Sequence, residues 1–228
     1  MRFLFFLLLL ATGNVYAQDP KTGAIVPKNE PVPAGITAVV TRGAVTLLNG
    51  QKLAYTAYTG YLDMKNDTGK LIAKIFFTYY RKDTEDPAKR AICFTFNGGP
   101  GSSSVWLHMG GLGPKRVALL DDGTATAPPY QVINNEYTWL DKTDLVFIDP
   151  VATGYSRAAS GENPKQFHGY NEDVQSVGAF IRSFLSKYER WSSPKFLAGE
   201  SYGTTRAAGL SKFLTDSYRI YINGILLI

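Results

Sequence analysis

Three short, unbroken apolar runs constrain this chain more than any other feature. They are RAICFTF at 90–96, TDLVFIDP at 143–150 and PKFLAG at 194–199. A strand with one face in water alternates apolar and polar residues. A continuous run instead predicts a strand buried on both faces, as in the middle of a parallel sheet. Such a sheet has to be covered by helices, and the stretch between the last two runs supplies one. From about Asn171 to Tyr188, the apolar residues Val174, Val177, Ile181, Phe184, Leu185 and Tyr188 recur at helical spacing. Asn171 can cap that helix, and Glu172 and Asp173 suit the positive end of its dipole. A second helix is expected after Ser201, where Ala207, Ala208 and Gly209 are small enough for it to press closely on the sheet. RIYINGILLI, at 219–228, reads as one more strand. Strands alternating with helices give an α/β fold, a mostly parallel central sheet with helices on both faces.

Ahead of this region the pattern differs. AVVTRGAVTLLNGQKLAYTAYTGYLDM and KLIAKIFFTYYRK are rich in Val, Thr, Tyr and Phe. Asn49-Gly50 is a hairpin signal and Asp67-Thr68-Gly69 a second turn, so an N-terminal antiparallel meander is expected. Residues 18–36 carry four prolines and read as an extended lead-in. The first residues, MRFLFFLLLLATGNVYAQ, have the grammar of an export signal. Arg2 gives the positive end, Phe3 to Leu10 the apolar run, and Val15-Tyr16-Ala17 the small-residue cleavage site. The run is too short to span a bilayer. The expected organisation is a signal at 1–17, the lead-in at 18–36 and an α/β domain at 37–228. The mature protein would be secreted or periplasmic, with no stable membrane insertion.

The formal charge of +5 is scattered, without the basic run that nucleic-acid binding needs. Cys93 lies within AICFTF and reads as a buried small hydrophobe. Two distant histidines and one cysteine offer no metal-ligand spacing, so no metal or cofactor is expected.

The chemistry concentrates after two of the apolar runs. Gly199-Glu200-Ser201-Tyr202-Gly203 is G-x-S-x-G, and it follows one predicted strand and opens a predicted helix. A nucleophile elbow requires that context, because the turn is so sharp that side chains at Gly199 and Gly203 would collide with it. The bland alternative is an ordinary strand-to-helix turn with a capping serine. The second constellation is NGGPGSSSVWLHMGGLGP at 97–114, directly after Phe96. Acyl transfer needs two N–H donors for the oxyanion: one from the residue after the nucleophile, here Tyr202, and one from an early strand-to-helix loop. Gly98-Gly99 stands where such a loop belongs.

NGGPGSSS, LVFIDPVATGYS and GESYG, in that order and at these separations, resemble the serine carboxypeptidases over roughly residues 90–228. The resemblance implies an α/β-hydrolase with a Ser-Asp-His triad that removes C-terminal residues from peptides, usually best at acidic pH. It implies Ser201 as nucleophile, the N–H groups of Gly99 and Tyr202 as oxyanion hole, and Asn97 and Glu200, beside Gly98, as the grip on the substrate's terminal carboxylate. Two carboxyl groups in contact share a proton, which would favour acid conditions for Glu200. Asp149 and the Gly154–Ser156 stretch match a loop after the second apolar run, where Asp149 is expected to order the loop.

This chain departs from the family in four respects. Gly111 stands where a second carboxylate-binding Glu is common, and Ser102 replaces a familiar Cys. Thr204 stands where another Gly usually follows the elbow. After Ser201 there is one acid, Asp216, and no histidine, because His108 and His168 both precede it. His108 could line the cleft, and His168 reads as a surface or capping residue. The chain is therefore expected to be the N-terminal portion of a longer protein that carries the triad Asp and His downstream. An acyltransferase on the same scaffold, and a non-catalytic peptide-binding remnant, remain open beside the carboxypeptidase reading.

Overall fold

The computed structural model describes residues 32–83 and 85–228. The export signal, and all of the lead-in before Val32, lie outside the described residues. In chain order the elements are β1 (Ile36–Thr46), β2 (Lys52–Lys65), β3 (Leu71–Lys82), β4 (Ile92–Phe96), α1 (Val105–Leu107), β5 (Lys115–Val117), β6 (Val132–Asn134), β7 (Asp144–Ile148), β8 (Arg157–Ala158), α2 (Tyr170–Lys187), β9 (Lys195–Gly199), α3 (Tyr202–Tyr218) and β10 (Gly224–Leu227).

The main sheet runs β1-β2-β3-β7-β4-β9-β10. Pairing is antiparallel from β1 through β3 to β7, and parallel from β7 through β4 and β9 to β10. The meander is thus the first part of the same sheet, and β7 inserts between β3 and β4. This is the sheet of an α/β-hydrolase. The three apolar runs became β4, β7 and β9, and β4 and β7 are buried at every position. Asn49 closes the first hairpin by accepting the Gln51 N–H at 2.9 Å. The second turn is organised by Asn66, one residue before the predicted triplet, whose Oδ1 accepts the N–H groups of Thr68 and Lys70.

Both long helices lie on one face. Val177, Phe180, Ile181 and Phe184 of α2 and Ala207, Leu210 and Leu214 of α3 pack with Phe77, Phe94, Phe96, Val146 and Leu197 of the sheet. The opposite face, with Cys93, Leu145, Phe147 and Ala198, is covered by Leu107, Leu112 and Leu140 from short helical turns. The expected helix layer on both faces is therefore uneven among the described residues. Burial pushes the Cys93 thiol up to about 12, in keeping with its expected role as a core residue.

Three local expectations are corrected. Asn171 does not cap α2; Gly169, at φ 108°, occupies the N-cap position without a side-chain cap. Ala207 and Leu210 turn to the sheet, whereas Ala208 is exposed and Gly209 faces the Tyr170 hydroxyl on α2. Its smallness serves helix–helix contact. The last strand is short: α3 ends at a left-handed Arg219, Ile220 anchors the turn, and pairing with β9 begins only at Gly224.

At the N-terminal edge of the parallel strands sits a buried charge cluster. Asp144 accepts from Arg90 Nε at 2.8 Å, from Arg190 Nη1 at 2.7 Å and from the Lys82 N–H at 3.1 Å. The candidate site lies at the other end of these strands, where open α/β sheets place their ligands.

Candidate active site

β4 and β9 are adjacent and parallel, with Phe96 opposite Gly199. Two strands that end side by side must deliver their following loops side by side. Residues 97–101 and the Glu200-Ser201-Tyr202 turn, a hundred residues apart in sequence, are thereby brought together. The Glu200 N–H donates to Phe96 O at 3.2 Å, and the Ser201 N–H to Ile228 O at 3.0 Å.

Ser201 sits at φ 57° and ψ −123°, outside the basins a residue with a Cβ normally occupies. Strain of this kind costs on the order of 1–3 kcal/mol and persists only where the surroundings enforce it. Here the glycines permit the turn. A Cβ on Gly199 would strike the Gly203 carbonyl, and one on Gly203 would lie 2.8 Å from Phe96 O. The Ser201 side chain stays exposed at the start of α3. The Gly203 N–H returns to Glu200 O and the Thr204 N–H to Ser201 O, which leaves the Tyr202 N–H outside the helix's own ladder. Burial raises the Tyr202 phenol, and Asp173 adds to the rise.

The glycine loop packs directly on this turn. A Cβ on Gly98 would overlap Tyr202 N and come within 2.6 Å of Gly203 N and 2.7 Å of Glu200 O. Gly99, at φ 105°, adopts a conformation open to glycine. Asn97 is 1% exposed, and both ends of its amide are engaged: Nδ2 donates to Glu200 Oε2 at 2.9 Å, which leaves its second N–H for a ligand, and Oδ1 accepts the Leu107 N–H at 2.9 Å. Asn97, Gly98, Gly99, Glu200, Ser201 and Tyr202 are all gathered at this one end of the sheet.

Asp149 orders the loop after β7. Its Oδ1 accepts the Ser104 N–H at 2.9 Å and its Oδ2 the Tyr155 N–H at 3.2 Å. Ser156 Oγ donates to Asp149 O at 2.6 Å while accepting the Phe76 N–H at 2.7 Å. Burial raises the Asp149 carboxyl, and the two N–H donors oppose that rise. Gly154, at φ 46°, leaves room for the carboxylate, which a Cβ there would strike.

His108 is half-buried against the edge of the core. Its ring stacks on Phe147 with centroids 4.4 Å apart, and its Nε2 lies 2.8 Å from Tyr80 Oη. Burial lowers it to about 4. His168 is exposed, and its N–H closes the turn at Pro164–Phe167 by donating to Lys165 O. It also lines a cavity of about 650 Å³ with Tyr202, Tyr170, Val151 and Pro100. Asp216 lies on the outer face of α3, 2.5 Å from Lys212 Nζ.

One group at the site was missed from sequence. Arg206 is 2% exposed, with Nε 2.8 Å from Asp173 Oδ2 and Nη1 2.7 Å from Asn97 O. Its signal was present: a lone cation among the small residues of TTRAAG, five positions after the serine.

Among the described residues no helix is long and apolar enough to cross a membrane. Carboxypeptidase Y of Saccharomyces cerevisiae is 30% identical over 154 residues, covering 64% of this chain and 25% of that protein. Serine carboxypeptidase-like 33 of Arabidopsis thaliana is 26% identical over 168 residues, covering 72% of this chain and 32% of its own length. Among solved structures, juvenile hormone epoxide hydrolase from the silkworm Bombyx mori aligns at 13% identity and a TM-score of 0.40, over 76% of this chain and 35% of its own. The chain thus spans about a quarter to a third of the length of these two curated relatives. The family model described as serine carboxypeptidase matches residues 48–226, from the second strand through the elbow to the last, and the chain belongs to that family.

Proposed function

We propose that this chain carries the nucleophile and the oxyanion hole of a serine-type carboxypeptidase acting on peptide or protein C-termini. The observation that carries the reading is Ser201 at φ 57° on a strand-to-helix turn, against which a glycine loop packs with no room for a Cβ. In the proposed reaction Ser201 Oγ attacks the scissile carbonyl carbon as its proton passes to a base. The carbonyl oxygen becomes an oxyanion held by the N–H groups of Gly99 and Tyr202. The C–N bond breaks, the leaving amine takes the proton, and water hydrolyses the acyl ester. Asn97 and Glu200, joined at 2.9 Å, would receive the terminal carboxylate.

The base and its orienting acid would come from residues beyond Ile228. His108 is stacked on Phe147 and bonded to Tyr80, and Asp216 pairs with Lys212 on the outer face of α3, both of which support this reading. Export by the N-terminal signal is part of the same proposal.

The test uses the full-length protein and its Ser201→Ala variant, with a fluorophosphonate probe, blocked dipeptides and acyl-glucose donors. Labelling and dipeptide cleavage that both vanish in Ser201→Ala support the reading. Turnover only in the presence of an acyl-accepting alcohol assigns the site to an acyltransferase instead. Equal labelling of both proteins removes Ser201 from the chemistry.

A further inference from the structure

Arg206 has no role in the reaction as written, yet it is among the largest fully buried side chains described. Desolvating a guanidinium is costly, and an apolar residue of similar volume would fill the space at least as well. What the guanidinium adds is several fixed directions at once. Nε bonds Asp173 Oδ2 at 2.8 Å, in the first turn of α2. Nη1 bonds Asn97 O at 2.7 Å. The guanidinium carbon lies 5.3 Å from the Phe96 ring centroid and 5.2 Å from that of Tyr202. Phe96 ends β4, Asn97 begins the glycine loop, and Tyr202 follows the serine.

The bond to Asn97 O matters most. A carbonyl and the next N–H share one rigid plane. Fixing Asn97 O therefore holds the 97–98 peptide plane, from which Gly98, packed against Tyr202 N and Gly203 N, leads on to Gly99. The Asn97 side chain is already tied to Glu200 and Leu107, and the guanidinium adds a hold on its backbone carbonyl, so the residue that opens the loop is fixed from both sides.

We propose that Arg206 is a positioning residue that locks the 97–101 loop onto the elbow and so sets where the oxyanion donors stand relative to Ser201. The kinetic part rests on the Ser201 reading above; the positional part does not. A lysine at 206 presents one point charge and can hold Asp173 or Asn97 O, not both in fixed geometry.

In the full-length protein, Arg206→Met and Arg206→Lys are compared with wild type by turnover of an activated acyl ester and by amide hydrogen exchange. Misplacing reacting groups by an ångström costs on the order of 100-fold, so Arg206→Met should lose roughly 10- to 100-fold in kcat with KM little changed. Exchange should quicken across 97–101 more than across α2 or α3. Arg206→Lys keeps the charge and most of the volume, should fold even where Arg206→Met does not, and should fall between them on both readouts. An unchanged kcat in a folded variant, a loss confined to KM, or exchange that rises evenly through both helices would overturn the proposal. If wild type shows no turnover dependent on Ser201, the catalytic reading falls and the exchange at 97–101 alone decides the positional claim.

Discussion

Acidification should weaken this fold in part through a single half-buried imidazole, His108. In the folded chain its ring lies flat on Phe147 and against the Tyr80 hydroxyl, and burial brings it from 6.5 to about 4. The folded state therefore holds this proton less tightly than the unfolded chain. Stability from neutral His108 is fully present above the unfolded value of 6.5 and is lost as pH falls toward the folded value of about 4. Integrating between about pH 7 and about pH 4.5 gives a loss of about 2 kcal/mol, at 1.36 kcal/mol per pH unit across the window. Phe at 108 keeps the stack on Phe147, removes the titration, and costs about 1 kcal/mol at every pH for the unpartnered Tyr80 hydroxyl. Urea unfolding of wild type and His108→Phe at the two pH values separates these terms, because every other titrating group cancels. Wild type should lose about 2 kcal/mol more than the variant on acidification. Equal losses, within about 0.5 kcal/mol, would refute the claim that burial holds this imidazole neutral. The result bears on function, since an enzyme working in acid would pay for that histidine in stability.

Two further perturbations test other parts of the structure. Gly98→Ala drives a Cβ into Tyr202 N and Gly203 N, so the loop must retreat by about an ångström; Ser201 labelling by a fluorophosphonate should slow on the order of 100-fold while circular dichroism stays native, and an unchanged labelling rate would count against the packed loop. Asp144→Asn leaves Arg90 and Arg190 buried without their shared carboxylate and should cost about 3–5 kcal/mol, read as a lower urea midpoint; a shift under about 1 kcal/mol would show that the cluster tolerates its loss.

Local pattern carried most of the fold. Continuous apolar runs specify strands buried on both faces because no alternation is left to aim at water, and β4, β7 and β9 follow from that alone. The elbow was equally legible, since only glycine at 199 and 203 tolerates the backbone contact there. Helix capping was less so. Asn171 and Asp173 suit a helix start, but the Asp173 carboxylate is drawn away to Arg206, and Gly169 takes the first position. RIYINGILLI is rich in strand-forming residues on both sides of Asn223-Gly224, yet its first half turns around Ile220 because a parallel partner is reached only at Gly224.

By itself the sequence determined the three buried strands, the two long helices, the meander, the elbow and the glycine loop, since each is a matter of neighbouring residues and backbone sterics. Tertiary structure alone decided that β7 inserts between β3 and β4, that β4 and β9 end side by side, and that Asn97 therefore meets Glu200 across a hundred residues. It also decided that His108 packs on Phe147 and Tyr80 and that Arg206 belongs to the site. Burial and partnership are properties of a packed interior, and no stretch of a dozen residues contains the groups that create them.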